Sequence, residues 1–494
     1  MSGLKQKVVK GTLWVLMEKL STQGVGFVVT LVLARLLTPD DYGAVAVLSI
    51  FIILANVLVD SGFGQSLVQK KEATELDFNS VFYTSLVLSG ILYAALFFSA
   101  PWIADFYRSP ELVGILRVTA VGVFFAAVNG VQNAELNRKM LFYLSFRISL
   151  LSSISSAIVG LTCAFLRMGP WALVWQNFTL GLVGVIARWF FIAWRPKRMF
   201  SFTALKGLWA FGWKLAVSNL VASFFANLYG LIIGRVYTRA DLAFVQKGGV
   251  LPNLVMNNVN ESLGRVAFPA MAQMQDDPVR LRAAMRRMVM ISTFFVFPLM
   301  VGIAVCSESI IHLLYGSKWL PAVPFAMIAC FDMAMWPIHT TNLQVITALG
   351  RSDIFLKLEL IKKALVVLTM FSFYRFGVWG FVFASTVTLG PVSMLLNAAP
   401  NQRLLGYSVV QQLRDIMPAC ILALIMGSVV YGVGVLGKLW AMPHLSKPVY
   451  LVITLILQGL IGGLVYWEGA RYLKLGAVGE FVELWQKVKS RLGK

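Results

Sequence analysis

The sequence has little charge for its length. Only 13% of its 494 residues are Asp, Glu, Lys or Arg, whereas 58% are hydrophobic. A soluble domain carries about 25% charged residues, so a soluble chain of this composition would lack a polar surface. The composition therefore predicts a polytopic membrane protein.

Cysteine is scarce, and the common catalytic motifs are missing. The four cysteines all lie in or beside apolar stretches, and no pair has C-x-x-C spacing. This pattern predicts neither a disulfide nor a metal site. The sequence also lacks a Walker motif, G-x-S-x-G and H-E-x-x-H. We expect a protein that is not an enzyme and that needs no cofactor.

Acidic residues are half as frequent as basic ones. The chain has 43 Lys and Arg against 22 Asp and Glu, a net charge of +21. In a soluble protein this excess would suggest nucleic-acid binding. In a membrane protein, basic residues collect in cytoplasmic loops beside anionic lipid. We therefore expect membrane lipids as partners, and no nucleic acid.

Long apolar runs dominate what is present. A bilayer core of about 30 Å requires about 20 residues of helix. The sequence predicts an all-α protein with fourteen such segments, at 11–34, 43–67, 79–101, 112–133, 144–166, 171–193, 207–234, 242–266, 288–308, 320–346, 355–374, 378–399, 414–436 and 449–470. The tail at 471–494 has apolar residues at helical spacing between basic ones, which predicts an amphipathic helix on the membrane surface.

The distribution of Lys and Arg predicts the orientation. When alternate loops are assigned to opposite sides, 29 Lys and Arg fall on one side and 9 on the other. Cytoplasmic loops carry the excess, so both termini are predicted to be cytoplasmic. Glu18 and Lys19 interrupt the first apolar run, and no A-x-A-like site ends it. We therefore expect this run to be a retained membrane helix rather than a signal peptide.

One polar corner occurs twice. "ARLLTPDDYG" at 34–43 matches "GRVYTRADLA" at 234–243, so that Arg35, Thr38 and Asp41 recur as Arg235, Thr238 and Asp241. Because six helices separate the copies, both have the same orientation, which predicts a parallel repeat. The predicted lobes are residues 1–200 and 201–402, followed by two extra helices and the tail at 403–494. The two Arg–Asp pairs are predicted to be structural, at helix ends.

Polar residues inside the segments predict a lumen. A charge at mid-membrane costs about 2.5–3.5 kcal/mol on the mildest scale, so such residues require a wet cavity or a partner. The substrate-lumen candidates are Lys19, Lys214, Lys247, Asn253, Asn257 and Arg265. The candidates for ion coupling are Glu18, Asp60, Glu261 and Asp332. Two other interpretations remain open: Asn residues often join helices, and Glu18 and Lys19 could lie at the interface.

Three motifs resemble a known family. "ARLLTPDDYGAVAV", "SGFGQSLVQ" and "FPAMAQMQDD" resemble the polysaccharide-exporter branch of the multidrug/oligosaccharidyl-lipid/polysaccharide superfamily, particularly Wzx-like flippases of the colanic-acid exporter type. The resemblance implies movement of an undecaprenyl-pyrophosphate-linked oligosaccharide to the outer leaflet of the bacterial cytoplasmic (inner) membrane. It also implies coupling to H⁺ or Na⁺, a prenyl tail that stays in lipid along helices 13 and 14, and cooperation with polysaccharide polymerase and export machinery for exopolysaccharide or lipopolysaccharide.

Two other functions compete with this one. A multidrug antiporter of the same superfamily would usually carry cationic substrates in an acidic, aromatic lumen, and Lys19, Lys214 and Lys247 argue against that. A membrane polysaccharide polymerase or ligase would need a long outward loop with catalytic residues. The outward loops here have only about 10–20 residues.

Overall fold

The computed structural model describes residues 2–60, 62–70, 72–440, 446–476 and 479. The side chains of residues 2–9, 210–211, 261–269 and 440 lie outside that description. Within the described ranges every regular element is a helix. This confirms the predicted all-α polytopic fold. Most of the predicted tail helix lies outside the described residues.

The chain divides into two compact units, residues 1–243 and 244–494. The helices of the first unit are α1 (Ser2–Leu36), α2 (Pro39–Asp60), α3 (Phe63–Gln69), α4 (Glu75–Phe106), α5 (Leu112–Ala120), α6 (Gly122–Arg138), α7 (Phe142–Phe165), α8 (Trp171–Phe191) and α9 (Phe202–Val236). The boundaries predicted at residues 200 and 402 stay predictions.

The helix α10 (Arg239–Ala272) begins before the boundary and continues into the second unit. The later helices are α11 (Pro278–Tyr315), a 3₁₀ helix (Ser317–Ala322), α12 (Val323–Ala348), α13 (Ser352–Phe373), α14 (Gly377–Val387), a π-turn (Thr388–Val392), α15 (Ser393–Leu405), α16 (Val409–Trp440) and α17 (Lys447–Tyr472).

The helix lengths fit a membrane protein. Among the described residues, eleven helical stretches are long and apolar enough to cross a membrane. Each of the fourteen predicted segments overlaps one helix or two consecutive helices. The predicted segments that correspond to α8, α10 and α13 are not among these eleven stretches. The number fourteen therefore stays a prediction.

Large apolar side chains cover the outer faces of the helices. Phe98 is 71% exposed, Phe190 82% and Phe371 71%. A soluble protein rarely exposes large contiguous apolar patches, whereas lipid solvates such side chains. These faces are therefore suited to contact with the acyl chains of a bilayer.

Small residues allow the helices of the first unit to pack closely. Gly160 on α7 lies against Gln176 on α8, where an added Cβ would be 2.9 Å from the Gln176 Cβ. Gly43 on α2 lies against the backbone of Arg239, and an added Cβ would be 2.1 Å from the Arg239 carbonyl oxygen. Membrane helices associate through such close backbone approach.

The core of the second unit joins α11, α12, α16 and α17. Phe297, Met300, Ile338, Ala423 and Tyr466 are among its buried members. The Tyr466 hydroxyl donates to the Phe294 carbonyl oxygen over 2.8 Å, so its polar end is satisfied inside the core. This arrangement anchors α17 to α11.

A π-turn interrupts the helix that runs from Gly377 to Leu405. It contains Gly390 and Pro391, and the Ser393 hydroxyl donates to the Thr388 carbonyl oxygen, five residues earlier, over 3.0 Å. The turn faces α12, where an added Cβ on Gly390 would be 2.8 Å from a carboxylate oxygen of Asp332. Such π-turns frequently occur at functional sites.

Candidate functional site

A cavity with a partly polar lining lies in the first unit among α1, α2, α5, α6, α7 and α8. Its volume is about 580 Å³, within the range of ligand sites. Its polar lining consists of hydroxyl and amide groups with one guanidinium: Thr22, Ser49, Asn56, Thr119, Asn129, Ser149, Ser152, Ser153, Asn177 and Arg188. We call this space the Arg188 cavity.

Arg188 is the cation of this cavity. Its Nε and Nη2 donate to the Asn133 side-chain oxygen over 3.3 and 3.0 Å, and its Nη1 donates to the Gly184 carbonyl oxygen over 3.0 Å. Ser152 and Asn129 lie beside the same stretch of α8, near Gly184. A guanidinium has five N–H donors, so donors remain for a ligand after these three contacts.

Glu18 supplies the opposite charge. Its carboxylate accepts hydrogen bonds from the Ser145 hydroxyl over 3.1 Å and the Ser149 hydroxyl over 2.6 Å. The Glu18 carboxylate also interacts electrostatically with Arg188. Because the two serines are one helical turn apart on α7, their hydroxyls together hold this carboxylate against the cavity wall. Glu18, an ion-coupling candidate, is thus placed near Arg188.

Amide oxygens in the cavity are buried without partners. Among the described residues, the side-chain oxygens of Asn56 and Asn129 accept no hydrogen bond. A buried polar group without a partner is costly, so water or a polar ligand is needed at both positions. The rings of Phe125 and Phe178, 5.2 Å apart, form an apolar wall of the same space. Hydroxyl-rich ligands with an anionic group match this lining.

The second unit contains an apolar groove of about 490 Å³ between α11, α16 and α17. We call it the α17 groove. Its polar groups bond to each other or to backbone: the Gln458 amide donates to the Val430 carbonyl oxygen over 2.9 Å, and the Cys306 thiol donates to the Gln458 side-chain oxygen over 3.4 Å. Because these polar atoms are satisfied internally, the groove offers a chiefly hydrocarbon surface.

A buried polar network lies between α12, α15 and α16. The Asn342 side chain exchanges hydrogen bonds with Gln412 over 2.8 and 3.1 Å, and Asn401 donates to it over 2.7 Å. One turn before Asn342, the His339 ring nitrogen Nδ1 lies 2.8 Å from the Asn397 amide nitrogen. These contacts join three helices inside the membrane-spanning part of the second unit.

Asp332 lies two turns away from His339 on α12. One of its carboxylate oxygens is buried without a hydrogen-bond partner among the described residues. That carboxylate faces Gly390 of the π-turn. Of the ion-coupling candidates in the second unit, Asp332 is the one whose side chain is described, because the side chain of Glu261 falls in the 261–269 gap.

The predicted lumen residues are not gathered in one described cavity. Lys19 is half-buried and Lys214 is exposed. The Lys247 ammonium lies 5.5 Å from the ring centroid of Tyr315 and 5.8 Å from that of Trp319.

The remaining lumen candidates lie on α10. The exposed Asn253 donates to the Gly249 carbonyl oxygen over 2.7 Å, and Asn257 is also exposed. Arg265 is within the helix, but its side chain lies outside the described ones. Whether this face of α10 lines a lumen stays a prediction.

Lys19 and Lys214 are not at matching depths. The helices α1 and α9 both have 35 residues and end 200 positions apart. Lys19 and Lys214 are 195 positions apart, so aligning them together with the helix ends requires five residues inserted in α9. Lys214 therefore lies five residues, or about 7.5 Å, farther from the end of its helix than Lys19 does.

Asp60 lines a smaller space at the end of α2. This space of about 520 Å³ also contains Gln65, Asn133 and Asn137. Asn133 is the residue that accepts from Arg188. Asn133 therefore connects the lining of the Asp60 space to Arg188, which lines the Arg188 cavity.

The repeated corners have the same hydrogen bonds. The Asp41 carboxylate accepts from the Thr38 backbone N–H over 2.8 Å and from its hydroxyl over 2.7 Å. The Asp241 carboxylate accepts from the same groups of Thr238 over 3.1 and 2.7 Å. Each aspartate thus fixes the start of the following helix.

The arginines just before the corners differ in their surroundings. Arg35 is exposed, whereas Arg235 is half-buried and its guanidinium carbon lies 5.0 Å from the ring centroid of Phe106.

Arg188, the cation of the Arg188 cavity, is not among the residues singled out from the sequence. Arg188 stands near the end of the predicted segment 171–193, so it is one of the 29 basic residues assigned to the cytoplasmic side. The signal that could have found it is the polar face of α8, where Asn177 and Gly184 precede Arg188 at helical spacing. The Asn397 and Asn401 pair was missed because the π-turn changes the helical phase.

Comparison with known proteins gives consistent results. The family described as "Polysaccharide biosynthesis protein" matches residues 32–324, more than half of the chain. The lipopolysaccharide biosynthesis protein WzxC of Escherichia coli (strain K12) is 24% identical, over 74% of this chain and 75% of that protein. The teichuronic acid biosynthesis protein TuaB of Bacillus subtilis (strain 168) is 24% identical, over 72% and 74%.

Solved structures share the fold. A lipid II flippase MurJ in an inward closed conformation has a TM-score of 0.71 and 16% identity, over 94% of this chain and 98% of that one. An inward-facing multidrug resistance MATE family transporter of the MOP superfamily has a TM-score of 0.57 and 16% identity, over 80% and 98%. These likenesses show that the chain shares the fold of those proteins.

Proposed function

Because the chain belongs to the polysaccharide biosynthesis protein family, we propose that it is a flippase for a lipid-linked oligosaccharide in the bacterial inner membrane. The family assignment confirms the resemblance noted from the corner motif. The proposed cargo is an undecaprenyl-pyrophosphate-linked repeat unit used for exopolysaccharide or lipopolysaccharide. The proposed mechanism is alternating access, without a catalytic step.

The observation that carries this proposal is a pair of sites with opposite character. The Arg188 cavity offers hydroxyls, amides and a guanidinium, which suit a saccharide with an anionic group. The α17 groove offers a hydrocarbon surface, which suits a prenyl chain. A lipid-linked oligosaccharide has both parts in one molecule. A small cationic drug would use neither the guanidinium nor a long apolar groove.

Ion coupling is proposed to use two half-buried carboxylates. Asp332 faces the π-turn with one oxygen unpartnered among the described residues, and Glu18 lies beside Arg188. A proton or Na⁺ at either carboxylate would neutralise a charge that is costly in the membrane. Asp60 and Glu261 remain candidates from the sequence. Both termini are proposed to be cytoplasmic, with polysaccharide polymerase and export machinery as partners on the outer side.

The alternative function is a multidrug antiporter of the same superfamily. The likeness to the MATE transporter favours this alternative at the level of fold. The cation in the Arg188 cavity argues against it, because a cationic substrate would meet a like charge there.

The experiment that separates the two functions is removal of the gene from the bacterium. We expect lipid-linked oligosaccharide to accumulate on the inner face of the membrane and surface polysaccharide to be lost, with both restored by the intact gene. Normal surface polysaccharide with new sensitivity to cationic drugs would instead establish the antiporter. The deletion strain carrying an empty plasmid serves as the inactive control for complementation.

A further inference from the structure

A second polar pocket lies at the other end of the first unit from the α1–α7 contact at Glu18. Its volume is about 560 Å³, and it is lined by Asp40, Tyr107, Arg108, Ser109 and residues 234–239. The end of α4, the start of α2 and the corner between α9 and α10 meet there. We call it the corner pocket. The Lys and Arg distribution predicts that this end faces away from the cytoplasm.

The corner pocket has an excess of positive charge. Arg239, 19% exposed, is neutralised because it donates to Asp40 over 2.6 Å and also pairs with Glu111. Arg108 is exposed, and its guanidinium forms neither a hydrogen bond nor an ion pair with any described residue. Arg235 also lines the pocket, and its guanidinium lies over the Phe106 ring. The Arg108 guanidinium is therefore available for an anion in a pocket that holds a second positive charge. Guanidinium binds carboxylate and phosphate through two parallel hydrogen bonds.

Beside the corner pocket, the buried hydroxyl of Tyr107 lacks a partner among the described residues. Tyr107 is only 7% exposed. Its ring is held edge-on by Phe106 at 5.0 Å and Phe51 at 6.5 Å. Burial raises the pKa of Tyr107 to about 12, so the hydroxyl stays protonated at neutral pH and can donate. Because this hydroxyl is fully enclosed, a ligand in the corner pocket does not reach it, and Tyr107 contributes to the wall of the pocket rather than to its binding groups.

We propose that the corner pocket binds an oxyanion, a carboxylate or phosphate carried by the transported head group, through the guanidinium of Arg108, with Arg235 as a second positive charge in the same lining. The identity of the ligand and the outward side rest on the proposed function. The pocket is large enough for a sugar ring beside the anionic group, since ligand sites start at about 300 Å³. An acidic sugar would reach it on the outer side of the membrane, before release.

The backbone at Arg108 provides a clean test variant. Arg108 has φ of 54°, in the left-handed region that favours glycine. Arg108→Gly therefore removes the guanidinium and relieves backbone strain at the same time. Arg167 has φ of 58° at the end of α7 and does not line the corner pocket. Arg167→Gly is thus a matched control with the same charge change and the same backbone change.

The experiment measures binding to the purified full-length protein by ligand-observed NMR. The probes are sodium glucuronate, inorganic phosphate and neutral glucose. We expect glucuronate or phosphate to bind more tightly than glucose, and the better of the two identifies the source of the anion. Arg108→Gly is expected to weaken that binding about tenfold or more, as for loss of a charged hydrogen bond, and Tyr107→Phe to leave it unchanged. Arg167→Gly should bind as the wild type does.

Three results would overturn the proposal: no saturable binding of either anion, equal binding of glucose, or unchanged affinity in Arg108→Gly. Thermal melting of each variant checks that the fold is kept. The proposed function fails separately. If gene removal leaves surface polysaccharide normal while glucuronate still binds, the anion-binding proposal is supported and the flippase proposal is wrong. If export requires the gene but the pocket binds no anion, only the pocket proposal falls.

Discussion

Replacing Arg188 by alanine tests the polar cavity most directly. The variant removes the cation of the cavity, together with its contacts to Asn133 and Gly184. If Arg188 makes one charge-assisted hydrogen bond to the anionic head group, its loss costs about 1.5–3 kcal/mol. With about 1.4 kcal/mol per factor of ten, transport should slow by roughly 10- to 150-fold.

The assay is transport in proteoliposomes that contain the purified protein and a lipid-linked oligosaccharide. A membrane-impermeant glycosidase measures how much of the oligosaccharide reaches the outer face with time. Arg195→Ala is the matched control, because Arg195 is exposed, does not line the Arg188 cavity, and contacts backbone oxygens and the Trp189 ring near the end of α8. Arg188→Lys keeps the charge but not the paired contact to Asn133, so an intermediate rate is expected.

The reasoning about Arg188 would be refuted by one result. If Arg188→Ala and Arg195→Ala transport at the same rate, with equal protein levels and melting temperatures, the guanidinium plays no part in transport. A low melting temperature of Arg188→Ala alone would shift the comparison to Arg188→Lys, whose charge maintains the interaction with Glu18.

Three further predictions concern the second unit and the lysines. Gly463→Leu should fill the α17 groove and slow transport without lowering the melting temperature, because open space surrounds this glycine. Gly432→Leu, also in open space but outside the groove, is the control, and equal transport rates of the two variants would contradict the prediction. Asn342→Ala removes three hydrogen bonds between helices, each worth about 0.6 kcal/mol in membranes. The free energy of unfolding should therefore fall by about 2 kcal/mol, and an unchanged thermal unfolding transition would contradict this prediction. Lys19→Ala and Lys214→Ala should each reduce export at normal protein level, and wild-type export would remove that lysine from the proposed lumen.

The periodic features of the fold were predictable from the sequence. Apolar runs of the right length located the helices, because burial in lipid demands nearly continuous hydrophobicity. The corner at Thr38 and Asp41 was found because it repeats with polar residues at fixed spacing. The family followed from the same corner.

Features that depend on packing could not be read from the sequence. The break between α5 and α6 at Val121 has one glycine beside it, Gly122, and no proline. The apolar run continues across the break, so the hydropathy pattern predicts a single segment. The role of Arg188 depends on Asn133, 55 residues earlier, and spacing along one helix carries no record of that contact. The network around Asn342 depends on a change of helical phase at the π-turn.

The π-turn at Thr388–Val392 constrains how related sequences can vary in length. Each residue of an α-helix turns the side-chain direction by about 100°, and a π-turn holds one residue more than the α-helical turn it replaces. That extra residue determines which face of α15 meets α12, where Asn397 and Asn401 now make their contacts. A homologue with one residue fewer in this stretch would keep a continuous helix of the same hydropathy but present different side chains to α12. A single-residue gap here therefore changes the partners of a helix without altering any loop.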